Sequence, residues 1–347
     1  MNIDVAIVGA GIGGLTAALA VPGRCTVLER APAPAADGFG IQLPPNATRA
    51  LAALGLGPAL AAISVRPVAR ELRRWCDGAL IGRVPLGAEA ERRYGAPYLA
   101  MRRADLVRVL FDALAPGTVR FGARCVGAAP DGTLRLAGGA VVRAGLVVGA
   151  DGLHSAVRGA LSSPGDAARP IGLTAFRAVL PAADPPPVVT VWLGPGRHVV
   201  AYPVPGGRNV VAVTAGPLDG AFDGWHAPVR DMVRAAGAAA AHEIRVRPAL
   251  PAWHRGRLVV LGDAAHPMPP FIAQGAAQAI EDAAALASTV DDLTAFEAAR
   301  RPRAERIAAA STAGGVEHHL PDGADQRRRD QRIAASGLPD QDWLYCR

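Results

Sequence analysis

A chain of 347 residues, 50% hydrophobic and 19% charged, is long enough for a large core and too apolar to be disordered. Its net charge of +7 would suit nucleic acid, but the arginines are scattered and no recognisable binding module accompanies them, so that class is set aside. Four dispersed cysteines without a C-x-x-C pair argue against a zinc site or a disulfide framework and fit a reducing, cytoplasmic setting; no run reaches the roughly 18 apolar residues of a membrane helix.

The chain opens on a strand pattern, Ile3 to Val8, which runs into Gly9-Ala10-Gly11-Ile12-Gly13-Gly14. A short helix follows over Leu15 to Ala20, and a second apolar run, Cys25 to Leu28, ends in Glu29. This is a βαβ unit with glycines in the G-x-G-x-x-G positions. Gly9 permits the tight turn, Gly11 lets backbone approach a pyrophosphate, and Gly14 lets the helix pack close to the sheet. The helix N-terminus offers free N–H groups to phosphates, and Glu29 is placed to accept from a ribose hydroxyl.

Ala31 to Gly38 reads as a loop, and a helix is predicted from about Ala47 to Leu54. Strand-like pieces fill Val65 to Leu99, with Leu72, Trp75 and Leu80 as core positions. A helix starts near Met101 and ends by Pro116-Gly117; short strands lead to Leu146–Val148 and Gly149-Ala150-Asp151-Gly152. Gly172 to Val213 has the Val, Thr, Tyr and Pro content of an antiparallel sheet. Trp225 to Ala241 reads as helix, and Arg257 to Leu261 as a buried strand ending in Gly262-Asp263. Long helices are predicted from about Gly275 to Thr289 and Leu293 to Ala313, the second kinked or divided at Pro302. Arg327-Arg328-Arg329 reads as a solvated helix face, and His318-His319 as surface.

Three apolar runs thus end in small residues, at Gly9, Gly149 and Gly262, two of them with a carboxylate, Asp151 and Asp263. In an open parallel sheet, ligands bind beyond the carboxyl ends of the strands, so the three ends describe one long cofactor groove. The fold class is mixed α/β: a Rossmann-like domain (1–66, 101–170 and 256–292) interleaved with an antiparallel-sheet substrate domain (67–100 and 171–255), then a helical segment (293–347).

These motifs together resemble the class A flavoprotein monooxygenases, the aromatic hydroxylases of the para-hydroxybenzoate hydroxylase fold, with the salicylate-hydroxylase-like branch most similar. Gly9 to Gly14 with Glu29 resembles their ADP-binding turn, Gly149 to Arg158 their DG motif, and Gly262 to Pro270 the GD motif whose Asp holds the flavin ribityl chain. The resemblance implies FAD contacts from Gly9, Gly11, Ile12, Gly13, Gly14, Glu29, Arg30, Gln42, Arg103, Asp151, Gly262, Asp263, Pro270, Gly275 and Ala276, and no metal. It implies NADH or NADPH as transient reductant, dioxygen as oxidant, and a flavin C4a-hydroperoxide that hydroxylates a small phenolic or N-heteroaromatic acid. A monomer or homodimer with no stable membrane association fits this reading. The chain departs from the family at Ala273 and Ala277, where Gly and Asn are usual.

A phenol is hydroxylated more readily once deprotonated, so a base is wanted. Arg197 to Pro203 reads as a strand whose alternation puts His198, Val200 and Tyr202 on one face. His198 and Tyr202 are therefore the candidate catalytic pair, against an ordinary sheet His and Tyr. Competing functions are an epoxidase or other oxidative tailoring enzyme acting on a natural product, or, given Ala273 and Ala277, a flavin-binding protein with little turnover.

Overall fold

The computed structural model describes residues 2–34, 38–237, 239–339 and 341–346, so part of the predicted 31–38 loop lies outside the described residues. In chain order, β1 (Asn2–Val8), α1 (Ile12–Ala20) and β2 (Cys25–Leu28) form the opening βαβ unit. Next come β3 (Gly40–Leu43), α2 (Pro45–Ala53), α3 (Gly57–Ala62), β4 (Ser64–Val65), β5 (Ala69–Arg74), β6 (Leu80–Pro85) and α4 (Gly87–Tyr94). The chain continues through β7 (Leu99–Arg102), α5 (Arg103–Asp112), β8 (Val119–Arg120), β9 (Cys125–Ala128), β10 (Thr133–Leu136) and β11 (Val141–Gly149). The second half holds β12 (Arg169–Pro181), β13 (Val188–Gly194), β14 (Arg197–Val204), β15 (Gly207–Thr214), α6 (Ala227–Ala235), β16 (Ala240–Val246), β17 (His254–Arg255) and β18 (Leu258–Val260). Four helices close the chain: α7 (Gly275–Ser288), α8 (Leu293–His318), α9 (Ala324–Ser336) and α10 (Asp342–Tyr345).

One sheet runs β17-β18-β11-β1-β2-β8, with β10 and β9 appended beside β11. Its centre is parallel and fully buried, which is why Val5–Val8, Leu146–Val148 and Leu258–Val260 are continuous apolar runs rather than alternating ones. The chain leaves β1 through α1 toward β2, while β11 pairs on β1's other side, so a crevice opens at the carboxyl end of β1. A second sheet, β16-β12-β15-β14-β13-β5-β6, is antiparallel except for β13 with β5. A small sheet, β3-β7-β4, lies between them, and β14 packs on β7.

Several predicted details change. Pro302 sits inside one unbroken α8, well past its first turn, so it does not divide the helix although it removes one interior hydrogen bond. The helix predicted from Trp225 stops at Ala235, and Ala240 onward pairs with β12 as an edge strand. Leu80 is 52% exposed, because it opens β6, the outermost strand of its sheet. Arg329 is not solvated; it turns inward onto Asp330 and the Glu317 carbonyl. Among the described residues no helix is long and apolar enough to cross a membrane.

Candidate active site

The groove is built from three strand ends in register. Val8 of β1 pairs with Gly149 of β11, and Gly149 with Val260 of β18. Gly9 has φ of +101°, and a Cβ there would lie 2.6 Å from the Ala150 carbonyl oxygen. A Cβ on Gly14 would come within 1.9 Å of the Gly9 carbonyl oxygen, so only glycine lets α1 start this close to the strand. Gly11, by contrast, has nothing within 4 Å of its Cβ position. The first turn of α1, which starts at Ile12, has no side-chain cap, so its leading amides are left for a phosphate to meet. The Glu29 carboxylate accepts from Ala10 N–H at 2.7 Å and Ala31 N–H at 2.8 Å, which stations it beside the turn. Arg30, next to it, is exposed.

The two groove aspartates differ. Asp151 is spent on its own loop: it accepts from Ser155 Oγ and from the Ala156 and Val157 amides, and burial raises its pKa. Asp263 is exposed at the groove, and it accepts no hydrogen bond from any described residue. Burial raises its pKa, while His266 and Arg103 oppose that shift. Arg103, at the start of α5, is likewise depressed by burial and partly restored by Asp263. Gly275, opening α7, would place a Cβ 3.8 Å from Asp263 Oδ1, so the first turn of α7 with Ala276 faces this carboxylate. Pro270 is at the exposed tip of the intervening loop. An unpartnered carboxylate, a facing guanidinium and an open glycine cradle fit a cofactor with a pyrophosphate and a hydroxylated chain.

Ala273 ends that loop with φ of +54°, the sole non-glycine residue with positive φ among the described residues. Ala277, the other departure from the family pattern, is core, packed with Ile12, Leu43 and Leu51.

Sequence reasoning missed what holds this loop. Asp282 of α7, fully buried, accepts from Gly262 N–H at 2.9 Å, His266 Nε2 at 2.6 Å and Arg300 Nε at 2.8 Å. Although burial opposes it, the His266 and Arg300 charges hold the Asp282 carboxyl well below its usual range. Arg300 also binds Glu281 and Gln278. Arg158, with no exposed surface, donates to the Ala264 and Ala265 carbonyls at 3.0 and 2.9 Å and pairs with Asp166. The DG segment therefore grips the GD loop directly.

Opposite the groove lies the second sheet. His198 and Tyr202 of β14 share its inner face with Val200, as the alternation predicts, and both are buried. His198 Nδ1 is 2.7 Å from His319 Nε2, and its ring stands edge-on to Phe271 of the proline loop. His318 packs 5.3 Å from His198, between ring centroids. This corrects the surface reading of His318-His319: α8 ends against the β13–β14 hairpin, where Gly196 N–H donates to the His319 carbonyl. Burial and mutual repulsion hold His198 well below the usual imidazole range, His318 is lowered to about 3, and burial lowers His319 to about 4. Tyr98 Oη donates to Gln42 Oε1 at 2.7 Å, and Tyr202 meets the same amide. Burial drives both phenols far above their usual range, so both are neutral donors. Met268, Ile272 and Val189 complete an apolar wall around Tyr202.

A family model described as FAD binding domain matches residues 2–301. The 3-amino-4-hydroxybenzoate 2-monooxygenase of Streptomyces cremeus is 42% identical over 378 residues, covering 100% of this chain and 95% of that protein. The 6-hydroxynicotinate 3-monooxygenase of Bordetella bronchiseptica is 34% identical over 338 residues, covering 87% and 88%. Among solved structures, Klebsiella pneumoniae HpxO complexed with FAD and uric acid aligns with a TM-score of 0.86 at 25% identity, covering 99% of this chain and 95% of that one. Fold, groove and relatives define an FAD-dependent oxidoreductase. The chain belongs to the FAD binding domain family and, within it, to the aromatic hydroxylase-type monooxygenases, which take NAD(P)H as co-substrate.

Proposed function

We propose that this monooxygenase hydroxylates a small phenolic or N-heteroaromatic acid, with amino- or hydroxy-substituted benzoates the first candidates. The observation that carries this reading is the buried, neutral His198 imidazole, linked to His319 and set with Tyr202 in an otherwise apolar wall. Identity to an aminohydroxybenzoate monooxygenase supports the same substrate class.

Gly9, Gly11, Ile12, Gly13, Gly14, Glu29 and Arg30 would hold the ADP half of FAD. Gln42, Arg103, Gly262, Asp263, Pro270, Gly275 and Ala276 would hold the flavin half, while Asp151 acts through the loop it caps. When bound, FAD accepts hydride from NAD(P)H and activates dioxygen. The chain's own work is to orient the ring, exclude water and manage a proton. In the tautomer where His198 Nδ1–H donates to His319, His198 Nε2 is left as an acceptor for a phenol proton. The apolar wall keeps solvent from the reacting face. We take residues 1–66, 101–170 and 256–292 as the FAD-binding unit and 67–100 with 171–255 as the substrate unit. A cytoplasmic monomer or homodimer is inferred, supported by four free cysteines.

The test is a screen of 3-amino-4-hydroxybenzoate, 6-hydroxynicotinate and related acids for accelerated NAD(P)H oxidation with a hydroxylated product. His198→Ala is expected to slow product formation about 100-fold or more, the scale of a lost general base, while flavin reduction changes only a few-fold. Equal loss in both half-reactions would remove His198 from the chemistry.

A further inference from the structure

Several arginines of the substrate sheet have acids. On β5, Arg73 pairs with Glu71 and Arg74 with Asp77, and Arg83 of β6 reaches Glu71 as well. Arg70, on the same strand, forms no ion pair or side-chain hydrogen bond with any described residue, and its Nε is buried without a partner. A guanidinium donor withdrawn from water and left unpaired is unfavourable. Its surroundings do not relieve it: the nearby groups are Tyr98, Tyr345 and His318. Burial keeps all three neutral by raising the phenols and lowering the imidazole, so a positive charge sits among neutral donors and ring edges.

Register brings this charge to the substrate face. Arg70 pairs with Val189 of β13, and the next residue, Thr190, pairs with Ala201 of β14. Arg70 therefore stands about two strand spacings, ~10 Å, from Tyr202 along the sheet. Val189 and Tyr202 belong to one apolar cluster with Met268 and Ile272. Arg177 of β12 is the other half-buried arginine on this face; its Nε is likewise buried without a partner and its charge lies near Tyr202, but its guanidinium stacks 4.5 Å over the Phe39 ring and beside Arg103.

We infer that Arg70 binds the carboxylate of the aromatic acid and thereby fixes which end of the ring meets His198. This rests on the aromatic-acid reading above. The planar fork of a guanidinium matches a carboxylate with two parallel hydrogen bonds. Arg70 is then a specificity-determining residue: it selects acids over neutral phenols.

The holoenzyme is titrated with 3-amino-4-hydroxybenzoate and with its neutral carboxamide, following the flavin absorbance change. The wild type is expected to prefer the acid. Arg70→Met should weaken acid binding by roughly 30-fold or more, leave the carboxamide within about two-fold, and so erase the preference. Arg70→Lys should restore part of it, and Arg177→Met should retain it. Bound FAD stoichiometry serves as the folding control. The inference is overturned if the wild type shows no preference for the acid, if Arg70→Met weakens acid and carboxamide equally, or if Arg177→Met alone erases the preference. If the acid binds through Arg70 but no hydroxylated product forms from any acid, the functional reading fails while the carboxylate site stands.

Discussion

Two aspartates flank the Gly262 turn and have opposite fates. Asp282 is fully buried and meets Gly262 N–H, His266 and Arg300 within 2.9 Å. Asp263, next to Gly262 in sequence, has no hydrogen bond from any described residue and opens onto the groove. A carboxylate satisfied by its own protein holds structure, whereas one left unpaired and open at the groove is free to meet a ligand. The difference separates the part of the site that positions from the part that binds.

The sharpest way to break this comparison is Asp282→Ala. Removing one partner of a buried ion-pair cluster strands Arg300, and unfolding free energy should fall by about 3 kcal/mol or more in urea titrations. A loss under ~1 kcal/mol would mean the cluster is not structural. Asp263→Ala should leave the stability of FAD-free protein within ~0.5 kcal/mol but weaken FAD binding about 10- to 100-fold by fluorescence titration. If stability falls instead, the two aspartates are alike.

Acid separates the two sides of the molecule further. His198, His318 and His319 all have folded pKa values below 6.5. As pH falls, the unfolded chain takes up protons first, so stability is complete above about pH 6.5 and is lost on acidification toward about 4. Asp282 is depressed below 3.8, so its contribution is present above that value and lost only beneath it. Between pH 7 and 5 the loss therefore belongs to the histidines, the fully buried His198 first among them. His198→Asn should flatten that segment of the stability profile; an unchanged slope would contradict the assignment. The smallest effect is Ala273→Gly. It relieves a left-handed alanine and should raise stability by ~0.5 kcal/mol in thermal melts, the glycine's chain entropy offsetting part of the gain.

What the sequence made legible was local. The Gly9–Gly14 turn is written in consecutive residues: Gly14 answers the Gly9 carbonyl within the βαβ unit, and Gly9 answers Ala150 at the adjoining strand end. The alternation around His198 and Tyr202 was readable for the same reason. The three Gly-ended strands could be matched because a parallel sheet aligns their ends, whatever their separation. Contacts between elements left no such trace. His198 meets His319 121 positions away, and two histidines ending a polar helix carry no mark of being inside. Asp282 with Arg300, 18 apart on two helices, looks like any surface pair until α7 and α8 are packed. Arg70 was hidden in an arginine-rich strand, and only the pairing of its neighbours exposes it.

The Arg158 grip on the Ala264 and Ala265 carbonyls bears on how this chain could be recombined with its relatives. The DG and GD loops, over a hundred residues apart, form one mechanical part with a single arginine as its bolt. A crossover anywhere between them would join loops shaped for different partners. Chimaeras of this enzyme should tolerate exchange of the β12–β15 sheet, provided both flanking loops come from the same parent.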